Sequence, residues 1–293
     1  MVLLILYGGR LVKTEEVTVY SPDRVLKVGF FAVWKEMFLT LFQSRELIWR
    51  LFLRDFNAKY RQSLFGILWV VLNPLIIVGI FIYLNKSGIF NIASTNIPYP
   101  AFALVGLTVW TLFATGLTAS CNSIVSAGIM VTKINFPKSS LVISSIGQAV
   151  VEFIVRLGLT VIVFLIYKVT PSWTTIFLPL VVIPFFLLTL GLGFLLSLLN
   201  GVFRDTVNIV TLFTTFFLFL MPVLYPTPES GLFAIINNWN PLSHLIVACR
   251  DIVFIGKFTN PAGFWYSSLF SLFVFLFCWR FFYLAETKIA ERI

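Results

Sequence analysis

The chain is expected to be an all-α polytopic integral membrane protein: six transmembrane helices, an N-terminal amphipathic interface helix, and short re-entrant helices forming an outer gate. Three observations carry this reading. Apolar residues make up 59% of the 293 residues and charged ones 11%, with a mean hydropathy of +0.98; a soluble domain has about a quarter of its residues charged. Uncharged stretches recur at lengths that match a bilayer core of about 30 Å, which needs roughly 20 helical residues at 1.5 Å each. A basic amphipathic stretch, Ser44 to Pro74, runs directly into the first of them.

Residues 1–43 mix charges with short apolar pieces and hold nothing long enough to span, so they are read as an N-terminal cytoplasmic segment. MVLLIL is too short for a signal-peptide core and no small-residue cleavage site follows it, so no processing is expected. Residues 44–62 form the interface helix. At 3.6 residues per turn Glu46, Arg50, Arg54, Asn57 and Arg61 share a narrow stripe, while Leu47, Ile48, Leu51, Phe52, Phe56 and Tyr60 cover the rest. Such a helix lies in a membrane interface.

Residues 63–293 form the six-span domain, with spans near 64–84, 99–121, 141–167, 174–199, 207–225 and 263–284. Asn73 and Pro74 interrupt the first hydrogen-bond ladder, and Pro179 and Pro184 do so in the fourth. Gly191 and Gly193 permit close helix approach. The link 128–140, GIMVTKINFPKSS, is a compact elbow able to dock on a partner. In the link NGVFRDT, Asp205 is placed to cap the fifth helix. The link from Pro226 to Asn260 is too apolar for a solvated loop. Leu232 to Trp239 and Leu242 to Ile255 read as two helices too short to cross, hence re-entrant or interfacial. Ile236, Val247, Arg250 and Asp251 are their gate candidates, the last two supplying a polar point toward the pathway or the headgroups.

Lys and Arg gather on one side of this arrangement, in the N-terminal segment, the interface helix, the elbow (Lys133, Lys138), Arg204 and the C-terminal end. Lys86, Lys168, Arg250 and Lys257 fall on the other side. The positive-inside rule then puts both termini in the cytoplasm and accounts for the net charge of +9 without nucleic acid. Cys121, Cys249 and Cys278 are scattered, giving neither a disulfide framework nor a metal site. There is no GxxxxGK[ST] phosphate loop, so any ATP hydrolysis belongs to another chain.

Five segments, RELIWRLFLRDFNAKYRQSLFGILWVVLNPL, YPAFALVGLTVW, FPKSS, NGVFRD and NPLSHLIVACRDIVF, occur in that order from Arg45 onward. In them the chain resembles the membrane subunit of polysaccharide-export ABC transporters, which move O-antigen, teichoic acid or capsule chains. The RELIW and KYRQSLFG wording is most similar to the O-antigen branch. The resemblance implies a homodimer in the bacterial cytoplasmic (inner) membrane, paired with two copies of an ATP-binding cassette subunit that holds ATP and Mg, and a polyprenyl-linked glycan as cargo. No cofactor is expected in this chain.

Arg54, Lys59 and Arg61, at the depth of lipid phosphates, are candidates for the glycan carrier's pyrophosphate, since Arg offers paired donors to phosphate oxygens; the plain alternative is a positive-inside anchor. Trp69, Phe216, Phe217 and Phe219 are candidates for pore lining, because pyranose rings present C–H faces to flat apolar surfaces. Lys133, Phe136, Pro137 and Lys138 are the expected ATPase-coupling residues. Glu152 and Arg156, four apart in the third span, are expected to neutralise one another, with proton coupling as the weaker reading. His244 reads as an interfacial polar residue. The rival function is a polytopic enzyme acting on polyprenyl-linked glycans, for which Glu152, Arg156, Glu229, His244, Arg250 and Asp251 would have to supply acids, bases or nucleophiles. A channel is disfavoured, since no filter-like loop or acidic ring is evident.

Overall fold

The computed structural model describes residues 6–7, 10–11, 30–61, 65–87, 97–134, 136–228 and 230–289. The chain is helical apart from a two-residue antiparallel ladder that pairs Leu6 with Leu11 and Tyr7 with Arg10. Eleven α-helices follow among the described residues. They are α1 (Phe30–Gln43), α2 (Arg45–Arg61), α3 (Leu68–Lys86), α4 (Tyr99–Ala127), α5 (Ile129–Lys133), α6 (Ser139–Ile166), α7 (Leu178–Val202), α8 (Thr206–Leu220), α9 (Leu232–Trp239), α10 (Pro241–Phe254) and α11 (Pro261–Ile289). A 3-10 turn, Trp173–Phe177, leads into α7.

Among the described residues, four helices are long and apolar enough to cross a bilayer: Tyr99–Ala127, Ser139–Ile166, Trp173–Val202 and Pro261–Glu286. Leu68–Leu84 and Thr206–Leu220, the expected first and fifth spans, are apolar but shorter. Fifteen residues of α8 reach about 22 Å at 1.5 Å each. The first helix starts later than the uncharged run, because residues 65–67 form a turn at Gly66, whose φ of +47° suits a residue without Cβ. After α8 the chain does not emerge as a loop. Met221, Val223 and Leu224 are fully buried, and the Tyr225 hydroxyl donates to the Phe219 and Leu220 carbonyls that end the helix.

Asp205 stands at the N-cap position before α8, but its side chain makes no capping bond. The cap comes from α7 instead, where the Asn200 side chain accepts the Val207 N–H at 3.3 Å. Pro179 likewise sits in the first turn of α7 and Pro184 alone lies in its interior, so a single proline interrupts that ladder.

The bundle is organised around α4, which is enclosed by α6, α7, α8 and α10. Small residues set the distances. A Cβ on Gly193 would sit 2.6 Å from Ser120 Cβ, and one on Gly116 would sit 2.9 Å from Thr189 Cγ2, so α4 and α7 meet almost backbone to backbone. A Cβ on Gly191 would lie 2.7 Å from the Phe275 Cα, which draws α11 onto the other side of α7. At the elbow end, α1 rests on α11 through Trp34 and Phe38 against Trp279, with ring centroids 6.0 and 5.0 Å apart. Residues 30–43 are therefore a docked helix with Val33 and Met37 buried, a feature not foreseen from their mixed composition.

Gly191→Ala should thus strain a backbone contact that cannot move aside. We expect a loss of about 1–3 kcal/mol, seen as a lowered melting midpoint of the detergent-purified protein. Gly79→Ala, where nothing lies within 4 Å, should melt like the parent. Equal behaviour of the two would refute the close α7–α11 crossing.

A polar cleft, a charged latch and a capped cavity

Glu152 is the electrostatic centre of the elbow half. It lies on α6 with its side chain 7% exposed, and three groups converge on it. Lys59 Nζ stands 2.7 Å from Oε1, the Tyr60 hydroxyl donates to the same oxygen at 3.0 Å, and Arg156 Nη2 lies 3.5 Å from Oε2. The expected pairing with Arg156 is thus present, but α2 contributes two further partners that spacing within α6 could not reveal. Burial, and then the Glu152 charge, push the Tyr60 phenol up, so it stays a hydrogen-bond donor. The aromatic side of α2 holds this register: Phe52, Phe56 and Tyr60 follow one another at 5.7 and 4.9 Å, and Phe52 packs where a Cβ on Gly147 would stand.

Beside this latch opens a cleft of about 670 Å³ between α2, α4, α6 and α8. Its lining sets hydroxyls, amides and two charged groups among small apolar side chains. α4 supplies Thr115, Thr118, Asn122 and Ser126, α6 supplies Ser145 and Gln148, α8 supplies Thr214, and Asp55 and Lys59 stand at the α2 edge. Thr115, Thr118, Ser126 and Thr214 donate their hydroxyl protons to backbone carbonyls of their own helices. Their free lone pairs then face the cleft as acceptors, while the amides of Asn122 and Gln148 supply donors.

A second cavity, of about 520 Å³, lies at the opposite end between α9, α10 and the start of α11. Asn238, His244, Asp251, Thr259 and Asn260 are among its lining. Asp251 Oδ2 accepts both the backbone N–H and the hydroxyl of Thr259, at 2.7 and 2.6 Å. Arg250 is not in the lining of this space. It is 5% exposed and its guanidinium lies 4.2 Å above the Phe102 ring.

A model of the ABC-2 type transporter family matches residues 46–254. The chain belongs to that family. It is 33% identical to the O-antigen export system permease protein RfbA of Myxococcus xanthus over 73% of this chain and 82% of the relative. The RfbA of Klebsiella pneumoniae is 30% identical over 69% and 78%. The polysialic acid transport protein KpsM of Escherichia coli is 24% identical over 76% and 86%.

In this ABC-2 protein the other expected site residues are spread out. Arg54 is bound to Asp55 at 2.7 Å and donates to Met130 Sδ at 3.5 Å, so α2 touches the elbow; the Arg61 side chain lies outside the described residues. Lys133 is exposed on α5, Phe136 and Pro137 are half-buried, and Lys138 is buried. Gly128, at φ +50°, turns the chain from α4 into that elbow. Trp69, Phe216 and Phe219 are exposed on the outside of the bundle, while Phe217 is half-buried and stacked on Phe213 at 3.8 Å; none of the four lines the cleft. Ile236 and Val247 are half-buried, and Val247 lines the far cavity. Glu229 falls outside the described residues. The reading of single charges and aromatics missed the hydroxyl stripe, which the i, i+3, i+7, i+11 spacing of Thr115, Thr118, Asn122 and Ser126 would have exposed.

Removing the Glu152 charge leaves Arg156 buried and unpaired, so Glu152→Gln should cost about 3 kcal/mol. Lys59, 45% exposed, should matter far less, with Lys59→Met within about 1 kcal/mol. Combining Glu152→Gln with Arg156→Met should recover most of the loss. Thermal melts of the four proteins in detergent read this ranking, and a double variant no better than Glu152→Gln would contradict it.

Proposed function

We propose that this chain is the membrane subunit of an exporter that carries a lipid-linked polysaccharide, of the O-antigen type, across the bacterial cytoplasmic membrane. The observation that carries the reading is the hydroxyl- and amide-lined cleft inside an otherwise apolar bundle. Polar groups are costly in a bilayer unless they serve a pathway or one another, and these walls offer alternating acceptors and donors suited to sugar hydroxyls. The names of the relatives support the same cargo.

In this reading α3 and α8 complete six crossings with the four long helices, and both termini lie in the cytoplasm with the elbow. The exposed face of α3 bearing Trp69 and Asn73, with Phe216 and Phe219 of α8, meets a second copy of the chain, because an exposed Asn and two flanking aromatic sets suit a protein contact better than lipid. The aromatics then border the path between protomers while the cleft hydroxyls line it. Lys59 and Arg54, at the cleft edge and on the same helix, stand where the pyrophosphate of the carrier lipid arrives. α9 and α10 close the outer end.

Energy enters through an ATP-binding cassette partner, two copies per dimer, which bind ATP and Mg. Lys133 and Ile134, exposed on the elbow, and the exposed side of α2 form the docking surface. Cys at Lys133 or Ile134 should crosslink efficiently to that ATPase in membranes, and crosslinks confined to the permease would move the docking surface elsewhere.

The cleft is tested by Thr118→Val combined with Asn122→Leu, which keep shape and remove hydrogen-bonding groups. Surface polysaccharide should fall by about tenfold, the equivalent of one or two hydrogen bonds, with the permease at normal abundance and still bound to its ATPase. Unchanged export would place the path outside the cleft.

A further inference from the structure

The cavity at the outer end does more than separate two gate helices. Its described lining combines the side chains of Asn238, His244, Asp251, Thr259 and Asn260, and no lysine or arginine is among them. The Asp251 carboxylate in the lining disfavours a phosphate or sulfate. Nor is it a metal site, since no group of three His, Cys, Asp or Glu side chains occurs among the described residues. What remains is a set of planar amides, an imidazole and a carboxylate, which pair with neighbouring hydroxyls of a neutral polyol. The volume of about 520 Å³ falls in the range of small-ligand sites.

The walls are held in place by bonds that leave ligand-facing groups open. Asn237 is spent internally: its amide donates to the Phe233 carbonyl and its oxygen accepts the Ser243 hydroxyl at 2.6 Å. His244 Nε2 bonds the Asn238 carbonyl at 2.9 Å, which fixes Nε2 as the donor and turns Nδ1 into an acceptor. Asp251 is ordered by Thr259 through Oδ2, and no described residue engages Oδ1 by hydrogen bond. Asn260 caps α11 with its oxygen on the Gly263 N–H at 2.9 Å. Gly263 leaves room for two of the lining side chains, because a Cβ there would stand 2.6 Å from His244 Nδ1 and 2.8 Å from Asn260 Nδ2. The exposed Asn238 amide, without a side-chain partner among the described residues, completes the rim.

We propose that this outer cavity is a saccharide-binding subsite, which holds a neutral sugar unit of the chain as it leaves between α9 and α10. The proposal rests on the polysaccharide-export reading and adds a second sugar contact beyond the cleft. Held there, the emerging end resists sliding back while the inner part of the path is reset.

The test uses the complete permease and ATPase assembly in producing cells, with photoreactive benzoylphenylalanine in place of Asn238 or of Thr118. After irradiation the denatured permease band is stained for periodate-oxidisable carbohydrate. Carbohydrate on both variants is the expected result. Carbohydrate at Thr118 and none at Asn238 would overturn the outer subsite and leave the export reading standing. Carbohydrate at neither, with export intact, would overturn the cleft reading and the subsite with it. In parallel, Asn238→Ala and Gly263→Ala should each lower export by about fivefold with normal abundance, the first by removing a contact and the second by displacing the His244 and Asn260 side chains. Export at the parental level in both variants would also reject the subsite.

Discussion

The structure depends on how closely α4 and α7 approach. Between helices in lipid there is no hydrophobic gain to exploit, because the surrounding tails are as apolar as leucine, so association rests on contact area and internal hydrogen bonds. Gly116, Ser120, Thr189 and Gly193 supply the small surfaces that let the two backbones meet, and Thr189 and Ser197 return their hydroxyl protons to their own helix. With that pair fixed, α11 closes on α7 at Gly191, α10 fills the far end beside Phe102, and α6 lies along α4 at the elbow side. The polar stripe of α4 is left on the flank that α7 does not cover. The cleft is therefore a consequence of which face of α4 was used for packing.

A second constraint ties the surface to that cleft. Glu152 is buried and needs partners, and two of them, Lys59 and Tyr60, belong to the amphipathic helix α2. The energetic weight sits with Arg156, which is as buried as Glu152, while the positional weight sits with Lys59, whose half-exposed ammonium can exchange partners at small cost. The same ammonium lines the cleft. Attachment of α2 and the electrostatics of the cleft edge are thus set by one side chain.

Much of this was legible in the residues alone, for physical reasons. α2 showed itself as a helix because its charges repeat at helical spacing beside an uncharged run, and α9 and α10 as short helices because their apolar pieces, of eight and fourteen residues, are bounded by turn residues. What escaped depended on distant partners. The docking of α1 needs Trp279, far along the chain, before Trp34 and Phe38 read as a contact face. Asp205 fitted the local rule for a cap, yet Asn200 reached the orphan N–H from the preceding helix. The hydroxyl stripe was overlooked because each threonine also satisfies a carbonyl of its own helix, so no single one stands out as functional.

The ties at the elbow explain why a motion there need not be local. Arg54 touches Met130, and the Glu286 carboxylate, from the end of α11, accepts the backbone N–H groups of Lys138 and Ser139 that open α6. α6 in turn holds α2 through Glu152. The elbow, α2, α6 and the end of α11 are thereby joined by polar bonds, and α4 passes into the elbow at Gly128, where φ is positive and a side chain would meet nothing within 4 Å. Packed helices transmit displacement as units instead of deforming continuously. A push on the elbow would be passed through these bonds to α2 and α6, which border the cleft together with α4.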